Sequence, residues 1–237
     1  MSTHTSTTQG RSGLNFYVVF ALVMALTVFV GFGQSFFLKA FTAAPALSPL
    51  VWTHGVLFSA WIVLLVTQTT LVARDRVDLH MRLGIFGVVL AVAMVIVGWQ
   101  TGIVAARLGH VPPGAPPPLM FLAIPLFAIV EFAILFSAAI ALRGNAQAHK
   151  RLMLMATIVI VPAAIARLPL PYAGTAPGFF AISDLIILAC VIYDWRTRGR
   201  VHPVYAWAGS LVVILQPLQL VIMGTAPWLA LAAWLTG

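Results

Sequence analysis

The chain has 237 residues, of which 62% are hydrophobic and only 8% are charged. Soluble domains carry about 25% charged residues, so this composition, with a mean hydropathy of +1.04, excludes an ordinary soluble domain and predicts an integral membrane protein. The net charge of +8 does not indicate nucleic-acid binding, because no basic stripe is interleaved with aromatic residues. The single cysteine, Cys190, excludes a disulfide within the chain.

Residues 1–13 are small and polar, and they predict a flexible cytoplasmic tail. The apolar run that follows is too long for a signal-peptide core of about 7–15 residues. A bilayer core needs about 20 apolar residues per helix, and residues 14–223 contain seven such runs, which predict an all-α bundle. The predicted spans are 14–38, 49–73, 80–104, 119–142, 149–169, 179–195 and 203–223. The tail 224–237 is apolar but too short to span, and we expect it at the membrane interface with Trp228 and Trp234.

Lysine and arginine predict the orientation of the bundle. With the N-terminus inside, ten of these residues lie on the inner side and three on the outer side. The outer three are Lys39, Arg107 and Arg167. The bias predicts a plasma-membrane protein with a cytoplasmic N-terminus and an external C-terminus. The outer loop 107–118 has five prolines, which predict an extended connector.

A histidine follows an arginine by six residues at three places, each at the start of a predicted span. The pairs are Arg74 and His80, Arg143 and His149, and Arg196 and His202. The spacing indicates a helical hairpin used three times, with one span added in front. Each of these histidines could bond lipid phosphate at the boundary, or all three could converge and bind a haem or a metal, since imidazole is a common ligand of both.

The helix that begins near His80 carries a stripe of small residues, which permits close approach of another helix or of a flat cofactor. The stripe consists of Gly84, Gly87, Ala91, Met94 and Gly98.

Four ionisable residues lie inside predicted spans: His54, Glu131, Arg167 and Asp184. An ionisable group in hydrocarbon costs roughly 2.5–3.5 kcal/mol on insertion scales, so such groups usually face the bundle interior and have partners. Arg167 and Asp184 lie at a similar outer depth and are predicted to pair. The four residues are interpreted either as a structural hydrogen-bond network or as an outward-facing pocket for a small ligand, a quinone or a haem edge.

The stretches THGVLFSAWIVLLVTQTTLVARDRVDLHMRLG and AHKRLMLMATIVIVPAAIARLPLPYAG resemble a family of uncharacterised bacterial multi-pass membrane proteins. More distantly, HGVLFSAW, LHMRLG and AHKRLMLMA are similar to the histidine-bearing helices of di-haem membrane cytochromes b and haem-handling oxidase assembly proteins. That resemblance implies haem b as cofactor, with His54, His80 and His149 as candidate ligands. The chain departs from a two-haem pattern because its outer side has only His54 in a span and His110 in a loop.

Three functions therefore stay open. The first is a b-type haem-binding or haem-handling protein linked to membrane electron transfer. The second is a transporter or small-ligand binder that uses the outer polar pocket, and the third is a non-catalytic accessory subunit of a membrane complex or a homo-oligomer. Phosphate-binding glycine loops, zinc-protease motifs and paired hydrolytic carboxylates are absent from the sequence, so no catalytic residue is predicted.

Overall fold

The structure is a computed structural model that describes residues 15–42 and 46–237, and within these ranges the chain is helical and has no strand. The predicted tail 1–13 lies outside the described residues. The longer helices are α1 (Phe16–Gly31), α2 (Pro49–Ala73), α3 (Val77–Arg107), α5 (Ala123–Ala141), α6 (Ala146–Ile158), α8 (Ala176–Arg198), α9 (Ser210–Ile222) and α10 (Ala226–Thr236). Two single-turn helices, α4 (Pro118–Phe121) and α7 (Pro162–Ile165), adjoin α5 and α6.

Six helical segments are long and apolar enough to cross a membrane, so the chain is a multi-pass membrane protein. They are Pro49–Ala73, Val77–Arg107, Pro118–Ala141, Ala146–Ile165, Ala176–Arg198 and Tyr205–Ile222. Each overlaps one of the predicted spans. The predicted first span, 14–38, is α-helical only as α1, because the regular bonding pattern gives way to a π-helical turn at Gly33–Phe37.

Local sequence signals explain where several helices begin and end. The Ser48 side chain accepts a hydrogen bond from the Val51 amide and precedes Pro49, which needs no amide partner in the first turn of α2. Asn145 caps α6 in the same way, and Thr175 caps α8. Gly199 ends α8 in the left-handed conformation, with φ of 69°, which a glycine adopts without steric cost.

The bundle has two distinct ends. Loops 74–76, 142–145 and 199–204 lie at one end, here called the basic end, where contacts of His80 with His149 and of Arg151 and His202 with Asp194 link the residues beside them. Loop 108–117 lies at the other, the proline-rich end. Helix α1 runs between them. Phe16, at its start, stacks on Tyr193 near the basic end, with ring centroids 3.8 Å apart. Phe32, just past its last turn, lies under the Arg167 guanidinium at the proline-rich end.

Helix α6 is the centre of the bundle, and its side chains Leu152, Met155 and Ile158 are fully buried. The outer helices α1, α2 and α3 instead expose large apolar side chains such as Leu26, Val63, Ile85, Phe86 and Val89. A soluble protein rarely exposes so much apolar surface. These side chains therefore contact the lipid bilayer.

The small-residue stripe on α3 serves helix packing. A methyl group added at Gly87 would lie 3.1 Å from Leu64 of α2, and one added at Gly98 would lie 2.6 Å from Ile129 of α5. At these two glycines the neighbouring helices approach closely, as small-residue interfaces in membranes allow.

The apolar tail forms α10, which packs on α3 and α4. Trp228 is buried and its indole N–H donates to the Leu119 carbonyl over 2.8 Å. Trp234 is 76% exposed. The two differ because helical periodicity turns one inward and the other outward.

Candidate functional site

A large cavity lies between α2, α3, α5, α6, α8 and α9 towards the proline-rich end, with a volume of about 1150 Å³. Residues 110–116 of the proline-rich loop form one of its walls. Drug-sized ligand sites are typically about 300–1000 Å³ and largely apolar with a few placed polar groups. The cavity is slightly larger than that range, and apolar side chains such as Phe121, Phe179 and Phe180 line it.

Three of the four ionisable residues predicted within the spans line this cavity: His54, Glu131 and Arg167. They come from α2, from α5 and from the segment after α7, so only the tertiary fold brings them together. Gln216 and Gln219 of α9 add two amides to the same lining. The cavity therefore combines an imidazole, a carboxyl group, a guanidinium and two amides inside an apolar wall.

Several of these polar groups lack partners among the residues that the structure describes. The ring of His54 stacks on Phe58 with centroids 4.1 Å apart, and its buried Nδ1 has no hydrogen-bond partner. The buried Oε1 of Gln219 has none either. Glu131 is 4% exposed and makes no ion pair with any residue in the described ranges. Buried polar atoms are nearly always satisfied, so unpaired ones that share a cavity are groups available to a ligand.

The predicted pair of Arg167 and Asp184 is wrong. The Asp184 carboxylate accepts a hydrogen bond of 3.0 Å from Gln216, and Asp184 is not among the residues that line the cavity. The Arg167 guanidinium donates to the Ala163 carbonyl and lies 4.6 Å from the centroid of the Phe32 ring. The sequence indicates the membrane depth of each residue. Two residues at the same depth make contact only if their side chains also point towards each other. Asp184 acts on the cavity only through Gln216.

Two of the three predicted histidines meet at the basic end. The rings of His80 and His149 are nearly perpendicular, with centroids 6.2 Å apart. His149 Nδ1 lies 2.9 Å from the Ala139 carbonyl oxygen, and since a carbonyl only accepts, this nitrogen carries the proton. That bond leaves Nε2 with its lone pair, the arrangement that metal-ligating histidines typically show.

The surroundings of His80 contain two unsatisfied atoms. Its Nδ1 is buried without a hydrogen-bond partner, and so is Oε1 of the neighbouring Gln68. The Gln68 amide N–H₂ group donates to the His80 backbone carbonyl over 3.1 Å, which holds the two residues together. The histidine pair thus has free nitrogen lone pairs in a partly buried position.

His202 does not join the pair in the structure. Its backbone N–H donates to Asp194 over 2.8 Å, and its Nδ1 accepts a bond of 3.2 Å from the Val204 amide. Burial, and then the nearby cations of Arg151 and Arg198, lower the pKa of His202, which favours the neutral ring that such acceptance requires. His202 lies just before the helical segment that begins at Pro203, whereas His80 and His149 lie within the first turns of α3 and α6.

A buried ion pair near His202 was not expected from the sequence. Arg151 of α6 and Asp194 of α8 are bonded to each other, and each side chain is 1% exposed. The sequence could have indicated this pair, because Asp194 is the only carboxylate in the part of α8 that lies at the basic end. Arg151 is one of the ten basic residues on the predicted inner side.

Comparisons with family models, with curated proteins and with solved structures found no match to this chain. The resemblances drawn from the histidine-bearing stretches therefore depend on those motifs alone.

Proposed function

We propose that the protein binds a small amphipathic molecule with hydrogen-bonding oxygen atoms, of the size and chemistry of a quinone, in the cavity at the proline-rich end. The observation that carries the proposal is the convergence of His54, Glu131 and Arg167 on one space of about 1150 Å³. Aromatic walls suit the apolar body of such a ligand, and the imidazole, guanidinium and amide groups suit its oxygens. The same cavity would suit either a ligand-binding protein or a transporter.

Thermal unfolding with a soluble short-chain ubiquinone analogue tests this function. A ligand at one hundred times its Kd stabilises the folded state by about 2.7 kcal/mol, so the wild-type melting temperature should rise. We expect Arg167→Gln and Glu131→Gln to abolish the rise while the variants stay folded without ligand. Lys39→Gln is the matched control, because Lys39 is a cation near the same end that does not line the cavity.

An analogue that leaves the wild-type melting temperature unchanged would contradict binding of this ligand class. An equal rise in wild type and in both cavity variants would place the binding elsewhere.

The second candidate function is haem binding by the histidine pair, linked to membrane electron transfer. It is favoured by the 6.2 Å separation of the His80 and His149 rings and by the bond that orients His149. These two imidazoles would hold a b-type haem, and such a haem would supply one-electron redox chemistry. His149 would be oriented by Ala139 and His80 by its packing beside Gln68. The measurement that tests this is the visible absorption spectrum of the purified protein.

We also propose seven membrane crossings, with the basic end in the cytoplasm of a bacterial cell. The extent of α1 from the Tyr193 ring to Arg167 supports a crossing by residues 16–37, which include the π-helical turn. The ten-to-three distribution of basic residues supports the orientation. Close packing of α2 along α3 and of α5 along α6 supports a repeated hairpin; α8 and α9 approach each other less closely.

A further inference from the structure

A second, smaller cavity lies at the basic end, outside both sites described above. Its volume is about 350 Å³, and it is lined by residues from the starts of α1 and α6 and from the last turns of α8. The residues that matter here are Tyr17, Gln147, Lys150, Arg151, Tyr193 and Arg198. We call this space the basic cleft.

The basic cleft has more positive charge than its protein partners neutralise. Lys150, Arg151 and Arg198 contribute three cations, while Asp194 is the one carboxylate in contact with them. Asp194 is bonded to Arg151, and its other oxygen is 3.6 Å from an Arg198 nitrogen, too far for a hydrogen bond. The cleft therefore carries a net positive charge, which a bound anion would neutralise.

Two donors of these arginines have no acceptor among residues 15–42 and 46–237. Arg151 is 1% exposed, yet its Nε is buried with no hydrogen-bond partner there. Arg198 Nη1 is likewise buried without one. An unsatisfied charged donor costs more than a neutral one, so its persistence in a cleft indicates an acceptor beyond the described residues.

The other lining groups match a phosphate. Lys150 Nζ lies 4.6 Å from the centroid of the Tyr17 ring, which holds this cation at the cleft. The Gln147 side-chain oxygen accepts from Arg151 over 2.9 Å, which leaves its amide N–H₂ group free to donate. Guanidinium groups suit the several oxygens of a phosphate because they present paired donors.

From these contacts we propose that the basic cleft binds a phosphate group, carried by a phospholipid headgroup or by a soluble phosphate. A volume of about 350 Å³ suits a headgroup rather than a large ligand. The cleft lies at the ends of membrane-spanning helices, where basic pockets between helices bind anionic lipid headgroups. Tyr17 and Tyr193 are aromatic residues of the kind found at that depth.

The experiment measures the melting temperature of the full-length protein in detergent and phosphate-free buffer. The added probes are inorganic phosphate, short-chain phosphatidylglycerol and, for ionic strength, sodium chloride. We expect phosphatidylglycerol to raise the melting temperature, and Lys150→Gln and Arg198→Gln each to weaken its apparent affinity about fivefold. Arg143→Gln is the matched control, because Arg143 is an exposed cation at the same end that does not line the cleft.

A rise with both inorganic phosphate and phosphatidylglycerol supports a site for the phosphate group itself. A rise with phosphatidylglycerol alone supports a lipid site. No rise with either probe, or equal affinities in wild type and Lys150→Gln, would overturn the proposal. Lys150 makes no ion pair in the structure, so its variant tests binding without removing a fold contact of that kind. The Arg167→Gln variant should respond as wild type, which separates this test from that of the larger cavity.

Discussion

His149 shows how one residue can be positioned by a single backbone contact. Its Nδ1–H bond to the Ala139 carbonyl fixes the tautomer and turns Nε2 away from that carbonyl. His80 lies beside it with an unpartnered nitrogen. His202 instead uses its nitrogen to cap the start of a helix. Three residues with the same sequence spacing therefore have two different environments.

This difference leads to a spectroscopic prediction. Protein expressed with ample haem should show a Soret band, and His80→Ala or His149→Ala should abolish it because each removes one imidazole of the pair. His202→Ala and His110→Ala should retain the band, since neither residue belongs to the pair. Colourless wild-type protein would contradict the haem hypothesis, as would a band that survives both pair variants.

The sequence predicted which polar residues belong to the candidate site better than it predicted which residues they contact. His54, Glu131 and Arg167 were recognisable because ionisable groups within apolar runs are costly, and all three line one cavity. The pairing of Arg167 with Asp184 failed because similar depth does not fix the direction of a side chain around its helix. The bonded pair Arg151 and Asp194 was not predicted, because Arg151 was counted only as one of the basic residues that set the orientation.

At the scale of elements, the contact between α1 and α7 depends on one missing side chain. A Cβ at Gly31 would lie 2.3 Å from the Ala164 carbonyl oxygen, a backbone atom that cannot rotate away. Gly33, two residues later, has no atom within 4 Å of the corresponding position. Close approach of the two helices at Gly31 therefore requires glycine.

We expect Gly31→Ala to destabilise the protein by about 1–3 kcal/mol, the usual cost of overpacking a tight contact. The readout is the melting temperature in detergent, which should fall. Gly33→Ala is the matched control and should leave the melting temperature near that of wild type. Equal melting temperatures for the two variants would show that α1 does not pack against α7 as closely as the structure indicates.

At the scale of the whole molecule, the two ends differ in charge and in shape. The basic end holds the loop arginines, the histidine pair and the basic cleft, and the proline-rich end holds the larger cavity. A bundle with seven crossings places the N-terminus at the basic end and the C-terminus at the other. In the structure, Arg107 at the end of α3 donates to the Thr236 carbonyl in the last turn of α10.

Cysteine labelling tests this topology in a Cys190→Ser background. Gly144 and Leu108 are exposed at the basic and proline-rich ends, so Gly144→Cys and Leu108→Cys report the two sides. We expect a membrane-impermeant maleimide to label Leu108→Cys in intact cells and Gly144→Cys only after permeabilisation. Ser2→Cys should behave as Gly144→Cys if α1 crosses the membrane. Labelling of Ser2→Cys in intact cells would reduce the crossings to six.

The sequence by itself determined the class of protein and the approximate place of the six long helical segments, because hydrophobic length acts locally. Apolar runs located these segments to within a few residues of the bounds that the structure shows. Only the tertiary structure decided which polar residues meet. The cavity and the basic cleft each combine residues far apart in the chain, and their contacts depend on how the helices pack and rotate against one another.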